Sequence, residues 1–300
     1  MLSAQIFSSL SQPARGHLAM LAFSALVAGS FSLGVLAAPH IDPGALSVVR
    51  FVLAGILVGA AAAVTTGIPR RAWAAPWRYL VLGGLLAAYF VLMFEGLKTA
   101  APVSAAAVFT LTPVMAAGFG WLFLRQRLTG RMAVALCVGG AGALWVIFRA
   151  DLAALLAFQV GRGEVIYFVG CVAHAAYAPL VRKLNRGEPA VVFTFGMMVA
   201  GTLLLALYAW PAMLATDWAA LPGVVWVTLV YVAVAASALT FVLLQYATLR
   251  LPAAKVMAYT YLVPSWVALW EIALHGLVQP GLVLVGVAMT VLALGLLLKE

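Results

Sequence analysis

The residues in this chain that could do chemistry are few and dispersed. His17, His40, His174 and His275 are scattered, with no paired His/Glu or carboxylate dyad evident. A hydrolytic site needs a nucleophile beside a base, or a cluster of metal ligands, so a lipid-modifying enzyme is a weak reading. Cys137 and Cys171 each lie inside an apolar run and read as small buried side chains. No Gly-x-x-x-x-Gly-Lys-Ser/Thr loop is present to cradle a nucleotide phosphate. No metal or organic cofactor is expected. What remains is chemistry of recognition. Lys255, Tyr259, Leu262, Trp266 and Trp270 recur every three or four residues and share one helix face. Tyr259 and Trp266 could stack on an aromatic or aliphatic group, and Lys255 could attract a carboxylate. The plain alternatives are an aromatic packing stripe and a Lys that snorkels to the nearer interface. His174 stands mid-run with Tyr177 one turn on. It is either a neutral His bonded to a neighbouring helix or a titrating group coupled to proton movement.

The elements that must position these residues are set by composition. Of 300 residues, 66% are hydrophobic and 8% charged, with a mean hydropathy of +1.14. A soluble domain carries about 25% charged residues, so lipid must be the main solvent. Runs of about 20 apolar residues can cross the hydrocarbon core. They fall near 17–37, 44–65, 78–97, 103–124, 130–148, 164–183, 190–209, 222–244, 253–274 and 281–298. The first is too long for the h-region of a cleaved leader and is read as a retained helix. Ile6, Phe7 and Leu10, ahead of it, are expected at the interface or disordered. With the N-terminus in the cytoplasm, twelve basic residues lie inside: Arg15, Arg70, Arg71, Arg78, Arg125, Arg127, Arg131, Arg182, Lys183, Arg186, Arg250 and Lys299. Only Lys98, Arg149 and Arg162 then lie outside. This positive-inside bias places both termini in the cytoplasm of a bacterial inner membrane. The net charge of +9 therefore reports topology and anionic headgroups, and not nucleic acid.

The chain repeats itself at an offset of about 150. Glu95-Gly96-Leu97 aligns with Gln245-Tyr246-Ala247, Pro102 with Pro252, Phe109-Thr110 with Tyr259-Thr260, and Pro113 with Pro264 one place out of step. The expected organisation is a cytoplasmic segment 1–16, a first five-helix repeat 17–148, an extracytoplasmic connection 149–163 and a second repeat 164–300. Five is odd, so the second copy enters from the opposite side. The fold class is thus all-α integral membrane: ten transmembrane helices as two inverted five-helix repeats around a central cavity. Pro113 and Pro264 fall mid-helix. Each removes a donor and crowds the carbonyl four residues back, those of Phe109 and Thr260, which predicts matched kinks. Tyr89 and Phe90, Phe109 and Thr110, Thr260, and Ser30 and Ser32 lie at mid-depth and could line the same space. Arg50 lies about two turns inside its helix, with Glu95 and Glu271 near outer helix ends. Pairing of Arg50 with Glu95 would make an outer gate or a structural pair.

Two repeats of five helices, Arg50 within Ser47-Val48-Val49-Arg50-Phe51, and Pro113 within Leu111-Thr112-Pro113-Val114 resemble the drug/metabolite transporter superfamily, EamA type. The second repeat departs from symmetry, with Gly196 where the first has Arg50. Within the superfamily the chain looks like the bacterial aromatic amino acid exporters. The resemblance implies secondary export of aromatic or other neutral amino acids, or similar small metabolites, by alternating access and without enzymatic activity. Alternatives are multidrug, cation or other metabolite transport. Phosphorylated substrates are disfavoured, because only Arg50 and Lys255 lie within spans. The expected partners are a small-molecule substrate and membrane lipids. The sequence leaves open whether the protein is a monomer or a homodimer.

Overall fold

The computed structural model describes residues 11–127, 129–156, 160–278 and 280–298. The readings on Ile6, Phe7, Leu10 and Lys299 lie outside these residues. The described chain is helical, without strands. Its spans are α1 (Gln12–Ala37), α2 (Pro43–Thr65), α3 (Trp77–Leu97), α4 (Pro102–Leu124), α5 (Gly130–Ile147), α6 (Arg162–Leu184), α7 (Ala190–Ala215), α8 (Gly223–Thr248), α9 (residues 253–275) and α10 (Gly281–Leu298). Nine of these are continuous enough, long enough and apolar enough to cross a membrane. The remaining one, α9, is divided by a 3-10 turn, Tyr259–Leu262, into Ala253–Ala258 and Val263–His275. Large apolar side chains such as Ile56, Leu203 and Leu207 stay exposed on the outer faces. In lipid such exposure costs nothing. This is a multi-pass membrane protein.

Local chemistry explains the helix ends. The Asp42 carboxylate accepts from the N–H groups of Gly44 (2.8 Å) and Ala45 (3.1 Å), and Pro43 opens α2. Both devices answer donors that have no intrahelical partner. The α1 helix starts at residue 12, ahead of the expected 17, because the Ser11 hydroxyl caps it. The α7 helix runs on to 215, beyond the expected 209. Pro211 is accommodated within it, and the Thr216 N–H still closes on the Ala212 carbonyl. The connection after α5 holds a short helix, Leu152–Leu156, whose first N–H groups donate to Asp151.

The two halves are interchangeable in their packing. α3 lies on α6 as α8 lies on α1, and α4 on α6 as α9 on α1. The counterparts α2 and α7, and α5 and α10, meet antiparallel. Trp145, near the end of α5, donates its indole N–H to the Leu282 carbonyl at the start of α10 (2.8 Å). Gly44 abuts Ala209 and Gly59 abuts Phe195 across α2 and α7. A Cβ at Gly142 would come within 2.7 Å of the Gly286 carbonyl. Small residues permit these close approaches where lipid supplies no hydrophobic drive. The architecture is ten helices in two inverted repeats.

Candidate functional site

The kinks at Pro113 and Pro264 organise the centre. α4 breaks at Thr110 and Leu111, so that Thr112–Leu124 begins as a new helix with Pro113 in its first turn. The carbonyl of Phe109, deprived of a backbone donor by Pro113, accepts the Thr112 hydroxyl at 2.7 Å. In α9 the 3-10 turn lets the Val263 N–H reach the Thr260 carbonyl. The two breaks touch: the hydroxyls of Thr112 and Thr260 are 3.2 Å apart. Thr110 spends its hydroxyl on the Ala107 carbonyl (2.6 Å).

Beside the α4 break lies an aromatic cluster drawn from both halves. His174 packs against Tyr89 (4.5 Å between ring centroids), Phe109 (5.1 Å) and Tyr177 (6.4 Å). Phe31 and Tyr167 close the ring around Phe109, and the Tyr89 and Tyr167 hydroxyls share a hydrogen bond of 2.9 Å. Gln245 donates to the Tyr177 hydroxyl (3.0 Å). All these residues are buried, so the middle of the bundle is packed shut. Yet His174 Nδ1 and Gln245 Oε1 have no hydrogen-bond partner, and each such atom away from water is costly. The surface crevices lie elsewhere. One of about 340 Å3 is lined by Gln126, Arg127, Arg182 and Lys255 at the arginine-rich ends of the helices.

Several expectations need correction. Arg50 is not paired with Glu95. Its Nε donates to the Ser237 hydroxyl (2.5 Å) and its Nη2 to the Ala236 carbonyl (2.7 Å), with Cζ 3.6 Å above the Phe90 ring. Glu95 instead binds Lys98 at an exposed corner (2.6 Å), the shorter and better solvated route. Glu271 approaches His275 at 3.4 Å. These two are four apart on one helix face, so the histidines are not all isolated from carboxylates. A 3-10 turn at 259–262 interrupts α9, and Tyr259 and Trp266 of its stripe both bond to α1. Tyr259 meets His17 of α1 (3.1 Å), Trp266 donates to Ser24 of α1 (3.2 Å), and Trp270 packs on Tyr231 of α8. Lys255 borders the crevice with Arg127 and Arg182, away from the aromatic cluster.

Other features were not foreseen. Residues 234–239 of α8 form a π-helical turn. Thr240 N–H there bonds to the carbonyls of Ala235 and Ser237, bypassing Ala236, its ordinary α-helical acceptor. No apolar pattern announces such a turn. Tyr167 carries a signal, since Tyr167, Cys171 and His174 share one face of α6. In the sequence Gln245 is a polar residue within an apolar run, matched to Glu95 of the first repeat. Arg78, expected merely as a topology charge, is buried and ion-paired with Glu188 (2.8 Å), and it also donates to the carbonyls of Leu184 and Ala74. Burial pushes the Glu188 carboxyl up, but hydrogen bonds from Arg78 and from the Arg186 N–H outweigh it and hold the carboxyl below its ordinary range.

Comparison with known proteins fits this geometry. The model of the EamA-like transporter family matches in two stretches, residues 14–148 and 161–299. An uncharacterized transporter, YyaM of Bacillus subtilis (strain 168), is 25% identical over 192 residues. That match spans 63% of this chain and 63% of the relative's length. A crystal structure described only as that of a protein superposes over 95% of each chain with a TM-score of 0.71 at 22% identity, which shows the shared fold. Ten helices in inverted halves, a kinked α4–α9 pair at their centre and two matched stretches covering most of the chain lead to one conclusion: the chain belongs to the EamA-like transporter family.

Proposed function

We propose that this membrane transporter is a secondary exporter of aromatic or other neutral amino acids, or similar small metabolites, working by alternating access. Residues 17–148 and 164–300 would rock against each other, linked by the extracytoplasmic connection 149–163. Both termini would lie in the cytoplasm of a bacterial inner membrane, where the twelve inner basic residues belong. The observation that carries this reading is the aromatic cluster at the crossing of the halves. Its rings come from α1, α3, α4 and α6, and it retains unpartnered polar atoms at His174 and Gln245. Stacking surfaces with unmet hydrogen-bonding capacity suit a substrate that is part aromatic and part polar. A permanent cation suits the centre less well. Of the buried carboxylates, Glu164 and Glu188 are bonded to Ser104 and Arg78, Glu271 sits beside His275 in the last turn of α9 with Oε1 unpartnered, and the buried charge next to the aromatic cluster is Arg50. Purified protein in liposomes is expected to catalyse saturable counterflow of at least one aromatic or neutral amino acid. A full amino-acid panel giving no flux at either of two pH values would sink this substrate class.

A further inference from the structure

Arg50 is wholly buried, and its guanidinium is only partly used. Nε and Nη2 are held by Ser237 and by the Ala236 carbonyl that the π-turn releases. Nη1, with two N–H donors, has no partner. No carboxylate among the described residues is bonded to it. Asp42, Asp151 and Asp217 accept from backbone N–H groups, Glu95, Glu164 and Glu188 bind Lys98, Ser104 and Arg78, and Glu271 lies 3.4 Å from His275 with its Oε1 unpartnered. A buried cation without a counter-charge is costly in a membrane interior, and such residues mark substrate paths. Its surroundings connect directly to the aromatic cluster, because Arg50 stacks on Phe90, Phe90 lies 4.5 Å from Tyr89, and Tyr89 lies 4.5 Å from His174. The arrangement is also one-sided: the second repeat has Gly196 for Arg50, and α3, the counterpart of α8, has no π-turn.

We infer that Arg50 Nη1 is the anchor for a substrate carboxylate, with the π-turn of α8 holding the guanidinium on Phe90 so that one edge stays unbonded. The substrate is then an organic anion or zwitterion whose carboxylate meets Arg50 and whose aromatic or aliphatic body lies toward Tyr89, Phe109 and His174. This rests on reading the central cluster as the transport site. A neutral amide in place of the carboxylate loses a charge-assisted hydrogen bond, about 10- to 100-fold in affinity.

The test is ligand binding by the full-length protein in nanodiscs, followed by thermal stabilisation, with L-phenylalanine, phenylacetate, L-phenylalaninamide and phenethylamine as probes. The two acids are expected to bind about 10- to 100-fold more tightly than the amide and amine. Arg50→Gln should abolish that preference, Arg50→Lys should keep part of it, and Lys255→Gln should leave it intact. Equal binding of acid and amide, binding of none of the acids, or a preference that follows Lys255 would each overturn the inference. If Arg50→Gln does not fold, the wild-type ratio together with Arg50→Lys and Lys255→Gln still decides. Acid preference without amino-acid flux would refute the proposed cargo and leave the carboxylate anchor standing. Flux without acid preference would do the reverse.

Discussion

Arg50 and Arg78 are both buried, and their surroundings differ in kind. Arg78 has a full set of acceptors, including the Glu188 carboxylate, and ties the start of α3 to the turn between α6 and α7. Breaking a buried pair costs about 3–5 kcal/mol because the survivor is left uncompensated. Glu188→Gln is therefore expected to lower stability by about 3 kcal/mol near neutral pH, toward the low end because the pair sits near the rim. The sign of its pH dependence follows from the depressed carboxyl. The contribution is present above the ordinary value of 4.5 and is lost as pH falls through the lower folded value. Unfolding of wild type and Glu188→Gln in detergent from pH 7 down to 3 should show the gap narrow only below 4.5. A gap unchanged down to pH 3 would show that the pair is not what stabilises this corner.

At the scale of elements, the bundle depends on where backbones touch. Gly140 and Gly142 stand two apart on α5, yet they face different surroundings. A Cβ at Gly142 would meet the Gly286 carbonyl at 2.7 Å, whereas nothing lies within 4 Å of one at Gly140. Gly142→Ala must push α10 away and should cost about 1–3 kcal/mol. Gly140→Ala should instead stabilise by up to about 1 kcal/mol through helix propensity. Thermal unfolding of the two variants is expected to shift in opposite directions, and a shift of the same sign in both would refute the contact. The π-turn of α8 is another property of an element rather than a residue. It rotates the rest of α8, which carries Gln245 onto Tyr177, and it frees the Ala236 carbonyl for Arg50.

At the scale of the molecule, alternating access requires the halves to separate somewhere that is now closed. The Thr112–Thr260 contact joins the α4 and α9 breaks across the interface of the repeats. With Cys137 and Cys171 replaced, a Thr112→Cys, Thr260→Cys pair should form a disulfide on oxidation, since the two side-chain hydroxyls already meet at 3.2 Å. Flux is expected to fall at least about tenfold when crosslinked and to return on reduction. Full flux in the crosslinked protein would mean that these breaks do not part. The spans, the inverted repeat and the proline breaks are legible from the chain alone, because apolar run length and missing N–H groups act locally and need no partner. α9 shows where such reading stops. Its stripe of Lys255, Tyr259, Trp266 and Trp270 is regular in sequence, but the Tyr259 hydroxyl and the Trp266 indole are spent on His17 and Ser24 of α1. Arg50 shows the same from the other side: its type and depth were plain, while its partner lay 187 residues away on a π-turn that exists only in the packed bundle. The sequence by itself determined the solvent, the helices and their two-fold repetition, which are properties of single segments. The tertiary structure alone decided which buried polar groups are satisfied and which are left open, because a hydrogen-bond partner is set by the meeting of distant helices.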